Sequence, residues 1–401
     1  MNRELFLIGK LLWERKKEGN MKRRSKKLIS LLAAVGVLAS VLTGCGGAES
    51  STTSDGDTNQ AAAETSAEGE STSIVVSHQP YSHGLPSYIG DQEGTFAENG
   101  VDMEILWFTG GNTQNEALGA DEWDAGCYGA APAIAAGIAY DAKIIGVHVG
   151  DNVSLGYWVR PDSEIAQIQG EVEGCPEIYG NADTWRGKTI LCATSTSVHF
   201  GLVATLSKLG LTQNDVNIVH MDVPAAYAAF KAGEGDIVAL WDPQNYQAEQ
   251  EGWVKVSSGT AFPEEFPTVF VASQKAIEEN WDGVYEWFKT SLDICETYQD
   301  DLDTQAEYLL QMQLDNGIDT DEEQAYRFVE DRPLPTLEKE IEYFSGEYGS
   351  RKMDTVMEGV IDFFVDQGSY TEEDKQTLID NGFIDGQFVE ALAQERGLSM
   401  E

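Results

Sequence analysis

Two series of short apolar strands alternating with helical segments limit what this chain can fold into. In the first, strands at 74–76, 101–108, 123–128 and 143–149 are separated by helical segments at 86–97, 113–118 and 132–140. In the second, strands at 188–192, 216–221 and 236–241 are separated by helices at 198–209 and 225–232. Such alternation predicts α/β architecture, a largely parallel sheet with helices on both faces. Tyr157-Trp158-Val159-Arg160-Pro161 reads as a strand leaving the first sheet, and 268–273 as a strand returning to it. From Ile277 onward, helical periodicity with acidic and amide residues dominates. The expected division is therefore lobe I at 74–160, lobe II at 161–258, and a return to lobe I with a helical tail at 259–401. Two crossings between lobes make a hinge, and a hinge between α/β lobes makes a cleft that closes. The 328 residues from Ile74 onward also exceed what one core usually organises.

The segment before Ile74 points to a compartment. Met21-Lys22-Arg23-Arg24-Ser25-Lys26-Lys27 is a basic run, 28–41 is apolar, and Leu42-Thr43-Gly44-Cys45 follows. This is the order of a signal peptide, and the apolar run falls short of the roughly 20 residues that span a bilayer. Leu-Thr-Gly-Cys resembles the lipobox of bacterial lipoproteins, which implies a signal peptide at 1–44, lipidation of Cys45 and an extracytoplasmic location on the cell membrane. The competing reading is an uncleaved anchor helix carrying a chance cysteine. Residues 1–20 precede a complete signal, so synthesis is expected to start at Met21. Residues 46–73 are Gly, Ser, Thr, Ala and polar side chains without an aromatic. That composition cannot bury enough apolar surface to fold, so 45–73 reads as a tether.

Beyond residue 44 the chain carries 16 Lys or Arg against 65 Asp or Glu. A field of that sign repels phosphate backbones and excludes nucleic acid as a partner. It serves solubility and does not fix the charge of a ligand. Cys127, Cys175, Cys192 and Cys295 match no metal spacing and allow zero, one or two disulfides in an oxidising location.

In open parallel sheets, ligands sit at the carboxyl ends of strands, where helix N-termini offer free N–H groups. Four segments hold such positions. Gln79, Pro80 and Tyr81 follow the first strand. Gly129, Ala130 and Ala131 open the Ala-rich helix before Pro132. Thr194, Ser195, Thr196, Ser197 and His199 open a helix in lobe II, and Trp241 and Asp242 precede Pro243. None contains Lys or Arg, so a weakly basic oxyanion would be held by N–H groups and hydroxyls. Asp242 is the nearest carboxylate for an amine on the ligand, and Tyr81, Trp107, Phe108 and Trp241 could cover its apolar part.

Several of these segments, with Ala117-Leu118-Gly119, Asp124-Ala125-Gly126, Arg186-Gly187-Lys188-Thr189-Ile190 and the run from Ala229 to Asp236, carry a resemblance. In order and spacing the chain resembles the taurine, alkanesulfonate and nitrate-binding branch of the periplasmic substrate-binding proteins. The resemblance implies the type II periplasmic-binding-protein fold and a small-molecule ligand in the cleft. It also implies delivery to an ABC permease with a cytoplasmic ATPase, by a monomer without cofactor or catalysis. A pyrimidine or thiamine-precursor-like ring is the rival ligand. A zinc-capturing protein using His78, His83 and His199 is a second alternative. An exported enzyme using Cys127 or His199 is a third, although no nucleophile stands beside a base in a readable arrangement.

Overall fold

The computed structural model describes residues 71–262 and 265–400 of the chain, all except the Val149 side chain. Cys45, the signal segment and most of the tether lie outside the described residues. Ten strands form two five-stranded sheets. The first contains β1 (Thr72–His78), β2 (Val101–Trp107), β3 (Ala125–Gly129) and β4 (Lys143–Gly150), joined by the last strand, β10 (Pro267–Ala272). Its order is β2-β1-β3-β10-β4. The second sheet contains β5 (Gly156–Val159), β6 (Thr189–Cys192), β7 (Asn217–His220), β8 (Ile237–Leu240) and β9 (Val254–Ser258), in the order β7-β6-β8-β5-β9.

The two sheets share one topology. In each, three parallel strands are followed by a strand that arrives from the other lobe and runs antiparallel, β10 in the first and β5 in the second. The expectation of largely parallel sheets therefore needs this correction at the fourth position. The boundary near 160 moves as well. Gly156–Val159 pairs with β8 and β9, so the first crossing lies at 151–155 and the second at 259–266. A four-residue strand buried on both faces looks the same in sequence whichever sheet it joins. The strand Val254–Ser258 was not expected at all.

The crossings are tied to one another. Asp151 N–H donates to Phe266 O at 2.7 Å, Phe266 N–H to Asn152 Oδ1 at 2.9 Å, and Gly259 N–H to Leu155 O at 3.2 Å. Two connecting segments tied together in this way form the hinge between the lobes.

The helices longer than six residues are α1 (Leu85–Glu93), α2 (Gly111–Gly119), α3 (Ala130–Tyr140), α4 (Ser197–Lys208), α5 (Val223–Lys231) and α6 (Gln244–Gln250). The tail adds α7 (Trp281–Tyr298), α8 (Leu302–Asp315), α9 (Glu322–Glu330), α10 (Leu337–Phe344), α11 (Lys352–Asp366), α12 (Glu372–Asp380) and α13 (Gln387–Glu395). Tail helices begin where side chains cap them: Asp301, Asp321, Thr336 and Thr371 each accept an N–H from the residue three further on. α7 covers the first sheet, with Phe288 against Phe270 and Trp287 donating to Ser87 Oγ at 3.1 Å.

The tail does more than return to lobe I. Arg327 of α9 pairs with Glu249 and lies over the Tyr246 ring of α6 at 4.4 Å, in lobe II. Phe363 and Phe364 of α11 pack on Phe200 of α4 at 4.7 and 4.8 Å. Both contacts join tail helices to the second lobe. Cys127, Cys175, Cys192 and Cys295 are free and buried. Burial pushes the thiols of Cys127, Cys192 and Cys295 up, which makes them inert apolar packing groups. Among the described residues, no helix is long and apolar enough to cross a membrane.

Candidate functional site between the lobes

A cavity of about 40 Å³ lies where the carboxyl ends of both sheets meet. About 10–15 Å³ on this scale admits one water, so the space suits a ligand of a few heavy atoms. Lobe I contributes Gln79, Tyr81, Ser82, His83, Gly111, Gly129, Pro132 and Thr268. The hinge contributes Asp151 and Ser154, lobe II contributes Thr196, Ser197, Trp241 and Asp242, and the tail contributes Phe328 and Arg332.

Three helices point their first turns at this space. Gly111 opens α2, Gly129 precedes α3, and Thr196 and Ser197 start α4. Unlike the capped helices of the tail, none of the three has a side-chain cap. Their leading N–H groups have no partner within the helix, and each start carries roughly half a positive charge. The Thr196 hydroxyl turns back to Ala193 O at 2.7 Å. Glycine at 129 is a matter of closeness: a Cβ there would lie 2.1 Å from Ser197 Oγ. The starts of α3 and α4, from opposite lobes, thus meet face to face.

Apolar and aromatic walls complete the cavity. Tyr81 stacks on Phe328 with centroids 6.3 Å apart and an interplanar angle of 10°. Trp241 Nε1–H donates to Tyr81 Oη at 2.8 Å, which joins lobe II to lobe I. Gln79 is held by Gln114, whose Oε1 accepts its amide at 2.6 Å. At the rim, Thr109 donates to the Asp222 carboxylate at 3.0 Å.

The charges are arranged unevenly. Arg332 donates to Asp242, and both side chains are almost fully buried. Burial opposes the Arg332 charge, but Asp242, Tyr246 and Asp151 together outweigh it and raise the guanidinium further. The Arg332 Nε has no partner. Asp151 takes a hydrogen bond from Ser154. Burial pushes its carboxyl up to about 6, against the pull of Ser154, Arg332 and Ser197 and with the push of Asp242. Burial lowers His83 to about 3, so its ring is neutral, and its Nδ1 is unpartnered.

Of the residues expected in the site, Gln79, Tyr81, Gly129, Thr196, Ser197, Trp241 and Asp242 line the cavity. Pro80, Phe108, Ala130, Ala131, Thr194, Ser195 and His199 do not. Thr194 bonds to His220 Nδ1 at 2.7 Å, and Ser195 is exposed with φ at +61°. Both nitrogens of His199 are engaged, by Ser195 N–H and by Gln213. That ring is therefore not free to join His78 and His83 around a metal, and His78 Nε2 is itself bonded to Ser87 at 2.8 Å. Among the described residues, no group of three or more His, Cys, Asp or Glu could hold a metal ion.

Two charged residues escaped the sequence reading. Asp151 follows β4, so the rule that selected the other strand ends applies to it equally. Arg332 lies 90 residues beyond Asp242 in the tail, and nothing local marks it.

Two α/β lobes, a double crossing and a small polar cavity between facing helix starts define a two-lobed solute-binding protein. No family model matches the chain. The chain belongs to the ABC transporter periplasmic binding proteins. It is 31% identical over 315 residues to a protein of that name from Brachyspira hyodysenteriae, across 79% of this chain and 88% of the relative. It is 22% identical over 237 residues to the taurine-binding periplasmic protein of Escherichia coli, across 58% of this chain and 68% of that one. The fold is shared with the periplasmic nitrate-binding protein of Synechocystis, with a TM-score of 0.60 and 11% identity over 81% of this chain and 89% of that one.

Proposed function

We propose that this chain captures a small oxyanion, such as taurine, an alkanesulfonate or nitrate, outside the cytoplasm and presents it to an ABC permease driven by a cytoplasmic ATPase. The observation that carries the reading is the meeting of α3 and α4 at Gly129 and Ser197. Two uncapped helix starts from opposite lobes repel each other when the cleft closes empty. An anion between them converts that repulsion into attraction, so closure and binding become one event. The unpartnered Arg332 Nε adds a charged donor from the tail.

The protein acts as a binding component without turnover. It works as a monomer, held to the membrane through a lipid on Cys45, with 45–73 as its leash. Replacing Cys45 by Ala should release it into the medium.

Thermal denaturation with a panel of sulfonates, nitrate and pyrimidines tests the ligand class. A ligand at a hundred times its dissociation constant stabilises by about 2.7 kcal/mol. Stabilisation by a pyrimidine alone, with every oxyanion silent, would reassign the ligand.

A further inference from the structure

We propose that Phe328 sets the longest ligand the cavity accepts, so that ligand length is decided by the helical tail and not by either lobe. This deepens the oxyanion reading and rests on it. The lining of the cavity is mostly polar, and its apolar wall comes from Tyr81, Pro132, Trp241 and Phe328. An oxyanion held at the starts of α3 and α4 turns its organic part to that wall, because apolar surface gains most where it meets apolar surface. Three of the four wall residues are fixed where they stand. Trp241 and Tyr81 share a hydrogen bond of 2.8 Å, and truncating either takes that partner from the other. Pro132 lies against the backbone of Gly111, where an added Cβ would be 2.4 Å from the Pro132 Cγ. Phe328 is 3% exposed and carries no polar side-chain atom. It is the wall residue whose size can change without stranding a hydrogen bond.

The surroundings of Phe328 hold its ring at a set depth. Tyr81 of lobe I is stacked on it, and the Arg332 guanidinium lies 4.1 Å from its centroid. Trp241 and Asp242, neighbours in lobe II, bond to these same two groups, Trp241 to Tyr81 and Asp242 to Arg332. Arg332 also donates to Phe328 O at 3.2 Å, which ties the guanidinium to the last turn of α9. On the outer side, Arg327 of α9 pairs with Glu249 and covers the Tyr246 ring. The ring is therefore supported by lobe I, lobe II and tail together, although its backbone belongs to the tail alone. A wall placed in this way can lengthen or shorten the space and leave the helix starts that hold the anion as they are. At about 40 Å³, the cavity leaves little room beyond the anionic group while the Phe328 ring is in place.

Titration calorimetry of the full-length protein in detergent, with methanesulfonate, ethanesulfonate, butanesulfonate and hexanesulfonate, reads affinity against chain length. In the wild type, affinity should fall from ethanesulfonate to hexanesulfonate by about 5- to 150-fold, the cost of overfilling a packed site. Phe328→Leu and Phe328→Ala should reverse that order, with a gain of about fourfold for each methylene newly taken in. Phe328→Trp should act in the opposite sense and weaken ethanesulfonate more than methanesulfonate. The ratio of long-chain to short-chain affinity is the deciding readout, because a tail that is merely loosened weakens every member alike. Phe328→Leu keeps most of the packing, so it decides if Phe328→Ala does not fold. A wild type indifferent to chain length, or a ratio unmoved by the smaller side chain, would overturn the assignment. Failure of every sulfonate to bind the wild type would overturn the oxyanion reading and this inference with it.

Discussion

The indole N–H of Trp241 donates to the phenol oxygen of Tyr81 at 2.8 Å, and that bond joins the two lobes across the cavity. Tyr81 is itself stacked on Phe328 of the tail. One side chain therefore touches lobe II and tail at once, and this arrangement of the cleft provides both partners.

Tyr81→Phe keeps the stack and removes the acceptor, which leaves a buried N–H unpaired. The expected cost is about 1–3 kcal/mol in the closed state. Ligand affinity should fall by roughly 5- to 100-fold, read by calorimetry. Unchanged affinity would show that this bond has no part in closure.

Gly129→Ala should block closure, because its Cβ would lie 2.1 Å from Ser197 Oγ. Binding should be lost while the open protein keeps its melting temperature within a few degrees. The double variant Gly129→Ala, Ser197→Ala removes the clashing oxygen and leaves ordinary contacts, with the Cβ of residue 197 at 3.5 Å and Pro132 Cδ at 3.8 Å. Partial recovery of binding is expected, and its absence would place the defect elsewhere.

Arg332→Met leaves Asp242 buried without its partner. Removing one member of a buried pair costs about 3–5 kcal/mol, which denaturant titration measures. Adding Asp242→Asn should recover much of that loss, since the stranded charge is gone. A double variant no more stable than the single one would contradict the pairing argument.

Asp151 gives a pH dependence of defined sign. Its carboxyl sits at about 6 in the folded chain against an ordinary value of 3.8. A raised folded value favours the fold at low pH, and this contribution is lost as pH rises from about 4 through about 6. At about 1.4 kcal/mol per unit, Asp151→Asn should gain up to about 3 kcal/mol at pH 8 relative to wild type, with no gain at pH 3.5. Urea titrations at the two pH values check this. An equal effect at both would contradict the shift.

Much of the fold could be read from the chain. Strand and helix alternation follows from apolar period, and strands such as β8, buried on every residue, announce themselves. The two crossings followed from 157–161 and 268–273, although the first strand belongs to the second sheet. Apolar runs specify burial and leave the neighbouring strand open, because every sheet interior offers the same environment. The helix starts at Gly129 and Thr196 were legible for a related reason: strand end and helix start are both local signals.

The charges of the cavity were not legible in this way. Asp242 was visible as a carboxylate, but its bond to Arg332 joins residues 90 positions apart. Thr194, Ser195 and His199 share a segment with Thr196 and Ser197, yet Thr194 and Ser195 lie at or before a left-handed turn, and His199, two positions beyond Ser197 on α4, falls on a different side of the helix. Sequence by itself determined the class of fold, the two lobes, the acidic field and the helix starts, because each depends on composition or on residues within a few positions. Tertiary structure alone decided that Asp151 joins the cavity, that Arg332 pairs with Asp242, and that α3 and α4 face each other. Those facts depend on side chains brought together from lobe, hinge and tail, and no local pattern encodes such a meeting.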